Sequence, residues 1–191
     1  MSGHNTNSFI IIFSEQAKVF IPGILSEHNY RAIGSKNPER SAREQANYLR
    51  NKIKAVLQSG QIDADRFSYV DWKADVETCP KYHDTLEEIK ILYKTNQKFH
   101  TDVTGSTQVV LEGMAAARGQ HQIKNIDTEE GVNYLIKELA FFASLPEIFT
   151  KFSSYTFVYH AEWPVLTKFL AGMYDGITRP CLNFFILRKQ K

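Results

Sequence analysis

No hydrophobic run in this sequence is long enough to cross a bilayer. A spanning helix needs about 20 apolar residues, and no uninterrupted run exceeds the five of residues 9–13. The polar N-terminus lacks a basic stretch ahead of an apolar segment and a small-residue cleavage site, so no secretory leader is read and the cytosol is the expected location. Cysteine is scarce: Cys79 and Cys181 stand far apart, without C-x-x-C or Cys/His ligand spacing, and are read as two thiols, not as a disulfide framework or zinc site. His4, His28, His83, His100, His121 and His160 form no H-E-x-x-H or similar pattern, so no metal is expected. A G-x-x-x-x-G-K-[ST] phosphate loop is also missing. Neither charge sign dominates, the formal net charge being +2.

What is present suits one folded domain over residues 1–191. The chain is 43% hydrophobic and 13% aromatic, enough to build a core. Strands are expected over residues 18–24 (KVFIPGI), 67–72, 155–160 and 181–187 (CLNFFIL). Helices are expected from Pro38 to about Leu57, over 85–100, 106–118 and 127–142, and from Pro164 onward. Pro38 and Glu39 suit a first helical turn, and Asp127 with Thr128 caps a helix that carries Glu129 and Glu130. Strands separated by helices predict an α/β domain with a mainly parallel sheet flanked by helices. Such sheets hold ligands at the C-terminal ends of their strands, where Tyr159 and His160 are expected.

Charge is uneven in one place. Residues 36–54 hold Lys36, Arg40, Arg43, Arg50, Lys52 and Lys54 against Glu39 and Glu44. Ala42, Ala46, Leu49, Ile53 and Leu57 form a packed stripe at helical spacing, which leaves the basic groups off the buried face. Such a stripe serves either as a solvated face or as a phosphate-binding surface.

The helix over 127–142 carries the chemistry. Val132, Leu135, Ile136 and Leu139 supply a core stripe, while Tyr134, Glu138 and Phe141 repeat one turn apart on the adjoining face. A phenol and a carboxylate thus project side by side next to buried surface, which on spacing alone is a plain ion or hydrogen-bonding pair.

Residues 131–142 (GVNYLIKELAFF), Ser144-Leu145-Pro146 and residues 153–164 (SSYTFVYHAEWP) together resemble the signature of the cyclodipeptide synthase family. That family has a Tyr-x-x-x-Glu helix and, some twenty residues on, a strand ending Tyr-His or Tyr-Pro, with an acidic residue and a proline close behind. The matching positions are Tyr134, Glu138, Tyr159, His160, Glu162 and Pro164. Residues 19–54 are similar as well: a strand ending Ile-Pro, residues 27–34 (EHNYRAIG), then the basic helix. The resemblance implies a single Rossmann-like domain similar to the class I aminoacyl-tRNA synthetase catalytic domain. It implies two aminoacyl-tRNAs as substrates and a seryl acyl-enzyme, followed by a dipeptidyl-enzyme that cyclises to a diketopiperazine. Glu138 and Tyr134 would then hold the substrate amine, and Tyr159 the acyl group. His160 marks the Tyr-His subfamily. Phe141, Phe157, Glu162 and Trp163 would belong to the side-chain pocket, and Arg40, Arg43, Arg50, Lys52 and Lys54 would meet tRNA phosphates. No cofactor and no obligate protein partner are implied. The sequence has no His-Ile-Gly-His or Lys-Met-Ser-Lys-Ser motif, which favours pre-activated substrates over amino-acid activation with ATP.

The family's serine follows a first strand in a Gly-hydrophobic-Ser-x-x-Asn pattern. Ser2 and Asn5 preserve Ser-x-x-Asn in the right order but have no strand before them. Ser26 and Asn29, with Gly23 upstream, form a second such pair inside the stretch that matches the family's next strand and loop. The resulting expectation is a chain whose first strand is missing or lies upstream of residue 1, with Ser2 and Asn5 as the acyl-accepting pair. A catalytically impaired aminoacyl-tRNA or RNA-binding remnant is the alternative.

Overall fold

The computed structural model describes residues 9–12, 17–119, 126–151, 156–159, 163–176 and 183–186. Five strands, β1 (Phe9–Ile12), β2 (Ala17–Phe20), β3 (Phe67–Tyr69), β4 (Thr156–Tyr159) and β5 (Asn183–Ile186), form one sheet in the order β3-β2-β1-β4-β5. The pairs β2/β3 and β4/β5 are parallel, and β1 runs antiparallel to both β2 and β4. Four strands therefore point one way and β1 alone runs against them, which gives the mainly parallel α/β sheet that strands alternating with helices predict. The strand over Phe9–Ile12 is not among the strands expected above, where that run is weighed only against a membrane span. It sits in the middle of the sheet, with Ile11 opposite Lys18 on one side and Phe157 on the other.

Among the described residues seven α-helices accompany the sheet: α1 (Ser26–Ala32), α2 (Pro38–Ser59), α3 (Pro80–Thr95), α4 (Gln97–Ala117), α5 (Thr128–Ala143), α6 (Leu145–Ile148) and α7 (Pro164–Leu170), with a 3₁₀ turn over Ala64–Arg66 and a π-helical turn over Trp72–Val76. Side chains alternate across β2 as the pleat requires. Val19 joins Ile21, Ala46 and Leu49 in a cluster under α2, whereas Phe20 enters the main core with α3, α5 and α7. In that core Phe20 lies 4.8 Å from Phe141 and 5.9 Å from Trp72, ring centre to ring centre, and Trp72 meets Tyr82 edge-on at 5.5 Å. Each fully buried side chain of this size contributes about 1.5–3 kcal/mol of transfer free energy.

Several boundaries differ from expectation. The strand expected over 18–24 ends at Phe20, and the one expected over 67–72 ends at Tyr69, with Trp72 opening a short helical turn instead. The helices expected over 85–100 and 106–118 are α3 and α4, and they divide at Asn96. Its backbone is extended (φ −106°, ψ 104°) and its side-chain oxygen accepts from the Phe99 amide at 3.0 Å. Residues 101–105 (TDVTG) have weak helix propensity, but Val103 and Phe99 are completely buried, and packing decides the conformation. The segment after β2 also forms a helix, α1, where the sequence reading has only a matching stretch. Gly23, in the turn before α1, approaches α2 so closely that a Cβ there would lie 3.1 Å from the Ala46 Cβ.

Gly131 sets the spacing of α4 and α5. A Cβ at this position would lie 2.7 Å from Leu111 Cδ1 and 2.8 Å from Thr107 Cγ2, and Leu111 is fully buried. Overpacking of this kind costs about 1–3 kcal/mol, against the roughly 1 kcal/mol that Gly to Ala gains in a helix interior. Gly131→Ala is therefore expected to lower stability by about 1 kcal/mol in equilibrium urea unfolding, although the same change in an unpacked helix would raise it.

Candidate active site

Helix α5 starts at Asp127, whose side chain accepts from the Glu130 amide at 3.0 Å and so satisfies a donor that the first turn leaves free. Along α5, Gly131, Tyr134, Leu135 and Glu138 recur at i, i+3, i+4 and i+7 and so share one face. That face borders a small open cleft; Asn29 of α1, Thr107 and Val110 of α4, and Trp163 just before α7 complete the described wall. Tyr134 and Glu138 are 5% and 4% exposed, and the Tyr134 hydroxyl donates to Glu138 Oε1 at 2.8 Å. Burial pushes the Glu138 carboxyl up to about 8, with the Tyr134 hydrogen bond opposing the shift. A buried acid of this kind is neutral at neutral pH in the free protein and becomes charged when a cation arrives beside it. The pair is therefore equipped to receive a substrate ammonium, or to move a proton from it.

A second network holds α1 against α5. His28 Nδ1 lies 2.9 Å from Glu130 Oε1, Arg31 donates to the same oxygen at 2.7 Å, and Lys137 Nζ lies 2.8 Å from His28 Nε2. Burial would raise the Glu130 carboxyl, but hydrogen bonds from His28 and Arg31 outweigh it and the net shift is downward. Burial lowers the Lys137 ammonium. These contacts hold the helix that brings Asn29 to the cleft. On the far side, Lys168 of α7 bonds both oxygens of Asp102 at 2.9 and 2.8 Å, and Tyr174 donates to Asp102 at 2.8 Å. That clamp fixes α7, and with it Trp163, against α4.

The other expected site residues fall as follows. Tyr159 is the last residue of β4, in register with Ile186, and Phe157 pairs with Ile11 and Phe184. Ser2, Asn5, His160 and Glu162 lie outside the described residues. Phe141 packs against Phe20, Trp72 and Phe142 in the core and is not among the side chains of the described cleft wall. Trp163 is in that wall. Arg40, Arg43, Arg50, Lys52 and Lys54 are distributed along α2 while Ala42, Ala46 and Leu49 are buried, as the stripe predicts. Arg40 pairs with Glu44 at 2.8 Å, Arg50 lies over the Tyr69 ring at 5.7 Å, and Lys52 over Tyr48 at 5.9 Å. Asn29, Thr107 and Val110 escape the sequence reading as site residues. Only Asn29 carried a signal, as the last member of Ser26-x-x-Asn29. Among the described residues no group of His, Cys, Asp and Glu could hold a metal ion, and no helix is long and apolar enough to cross a membrane.

The fold is a Rossmann-like α/β domain with a buried Tyr/Glu pair bordering a helix-lined cleft. The chain belongs to the cyclodipeptide synthase family, whose sequence profile matches residues 11–188. Members of that family are transferases that make cyclodipeptides from aminoacyl-tRNAs. The fold is similar to a cyclodipeptide synthase from Bacillus thermoamylovorans, with a TM-score of 0.72 at 16% identity over 90% of this chain and 74% of that one. It is similar also to one from Staphylococcus haemolyticus (TM-score 0.67, 18% identity, 90% and 76% covered). AlbC, a cyclodipeptide synthase from Streptomyces noursei, gives a TM-score of 0.63 at 21% identity, with 91% of this chain and 81% of that one covered. No curated protein sequence matches the chain.

Proposed function

We propose that this chain joins two aminoacyl groups through a seryl ester and releases them as a diketopiperazine. The observation that carries the reading is the buried Tyr134–Glu138 pair facing a cleft. A serine Oγ attacks the ester carbonyl of the first aminoacyl-tRNA, and its proton leaves with the tRNA ribose oxygen. The amine of the bound aminoacyl group then attacks the ester of the second aminoacyl-tRNA, which releases the second tRNA and leaves a dipeptidyl-enzyme. Finally the free amine of that dipeptide attacks the seryl ester, closing the ring and restoring the serine. The second and third attacks each need an unprotonated amine, and Glu138 with Tyr134 is suited to hold the ammonium and take up its proton. Tyr159, at the end of β4, is suited to bond the acyl group, with His160 and Glu162 following it.

Two serines compete for the acyl-acceptor role. Ser26 opens α1 after the five residues that follow β2, and Asn29 one turn later borders the cleft, whose lining does not include Ser26 itself. The Ser26 hydroxyl donates to the Pro22 carbonyl. Ser2 with Asn5 is the competing pair. We favour Ser26, because the asparagine of its motif meets the same cleft as Glu138.

The cations of α2 are suited to tRNA phosphates. Reversing Arg43, Arg50 and Lys54 together is expected to weaken tRNA binding at least ~10-fold at about 0.1 M salt and to reduce the slope of log K against log salt by about 2–3. Filter binding across a salt series measures this; an unchanged slope would return the helix to a solvated face. The enzymatic reading itself is tested by mass spectrometry of medium from cells overexpressing the chain. Diketopiperazines that vanish with Glu138→Gln or Tyr159→Phe support it. Binding of tRNA without product supports the binding remnant, and product that needs an added upstream coding segment puts the acyl acceptor before residue 1.

A further inference from the structure

Two hydrogen-bonding groups in the cleft wall stand unpartnered among the described residues. Thr107, 3% exposed, has its hydroxyl buried without a hydrogen bond, and so does the Trp163 indole Nε1. Both residues border the cleft that Tyr134 and Glu138 face. The Thr107 case is unusual within this molecule. Three other threonines in or next to helices, Thr78, Thr95 and Thr101, return their hydroxyls to the carbonyl four residues earlier, at 2.7, 2.8 and 2.9 Å. Thr107 makes no such bond. Its methyl group faces Gly131, the residue whose missing Cβ lets α4 and α5 approach.

Buried polar groups are almost always paired, and each one left alone costs stability. Groups that remain unpaired at a cleft are satisfied by solvent or by ligand. An incoming side chain must displace whatever solvent reaches them. An apolar side chain would leave both groups unsatisfied, whereas a side chain with its own hydrogen-bonding atom replaces what it displaces. The indole N–H only donates, and the hydroxyl donates or accepts, so the complement must offer an acceptor oxygen. A second carboxylate would compete for protons with Glu138, which burial already keeps neutral.

We infer that this part of the cleft selects an aminoacyl group with an uncharged hydrogen-bonding side chain, a hydroxyl or a carboxamide, through Thr107 Oγ1 and Trp163 Nε1. The inference rests on the reading above that the cleft receives aminoacyl groups. It concerns which aminoacyl group is chosen, not whether the chain acts on them. Gly131, Thr107 and Trp163 then form one device: the glycine brings α4 close, and the Asp102–Lys168 clamp holds α7 in place opposite.

The test uses the full chain and tRNAs charged through a non-reactive 3′-amide, so that binding is read whether or not turnover occurs. Threonyl is compared with valyl, which has the same shape, and asparaginyl with leucyl. The hydrogen-bonding member is expected to bind about 10- to 100-fold more tightly in at least one pair. Thr107→Val is isosteric and should reduce that preference at least ~5-fold, weakening the hydrogen-bonding member and tightening the apolar one, because no hydroxyl is then left unsatisfied. Trp163→Phe should do the same, and thermal melting of both variants checks that the fold persists. Equal binding within both pairs, or preference for the apolar members, overturns the inference while leaving the aminoacyl reading standing. A preference that survives both substitutions overturns the assignment to these two groups. If no charged analogue binds better than uncharged tRNA, the aminoacyl reading of the cleft fails and the inference falls with it.

Discussion

Glu138→Gln is expected to lower cyclodipeptide formation by at least ~10²-fold, the scale of a positioned acid–base group, while making the protein more stable at alkaline pH. The two effects have one cause. Glutamine keeps an oxygen for the Tyr134 hydroxyl, so the contact at 2.8 Å survives, but it cannot pair with an ammonium or accept its proton. For stability the sign follows from the folded carboxyl lying at about 8, above its unfolded value. The folded state holds a proton that the unfolded state releases, so wild-type stability is complete below about pH 4.5 and falls as pH rises toward 8. The variant has no such loss. Its advantage should be absent at about pH 4, grow through neutrality and level off near about pH 9, on the order of 5 kcal/mol at most, since each pK unit is worth about 1.4 kcal/mol. Urea unfolding of both proteins across that pH range measures it. A constant difference throughout would mean that Glu138 is ionised in the free protein.

Ser26→Ala is expected to reduce product by at least ~10³-fold, because a covalent route cannot proceed without its nucleophile, and Ser2→Ala is expected to leave product within about twofold. Trapping the acyl-enzyme with one labelled aminoacyl-tRNA and mapping the adduct by peptide mass reads the same point directly. An adduct on residues 26–31 fits the corner after β2; an adduct on residue 2 would transfer the role to the N-terminal pair. Loss of the Ser26 hydroxyl also removes its bond to the Pro22 carbonyl, so Ser26→Thr and a melting curve distinguish a lost nucleophile from a disturbed turn.

Much of this was legible in the sequence because it depends on local periodicity. The i, i+4 spacing of Tyr134 and Glu138 puts them on one helical face whatever surrounds them, and the Ala42, Ala46, Leu49 stripe fixes which side of α2 is buried. Long-range features were less legible. Nothing in the residues 9–13 run shows that residues 9–12 lie antiparallel between β2 and β4, since register is a property of partners far along the chain. Thr107 lies next to a stretch of weak helix propensity and has no motif; it shares the cleft with Glu138 only because Gly131 lets two helices approach. Phe141 illustrates the converse. Its spacing with Tyr134 and Glu138 suggests the cleft face, but it stands about 60° round from Glu138 and nearly a turn further along the axis. That position carries it past the cleft to Phe20 and Trp72.

The most direct test of the central claim is reconstitution with the purified chain, two aminoacyl-tRNAs and no ATP. A diketopiperazine is expected, formed with release of two deacylated tRNAs per product and strongly reduced by Glu138→Gln. Deacylation that yields only free amino acids, at a rate Glu138→Gln does not change, would contradict that claim.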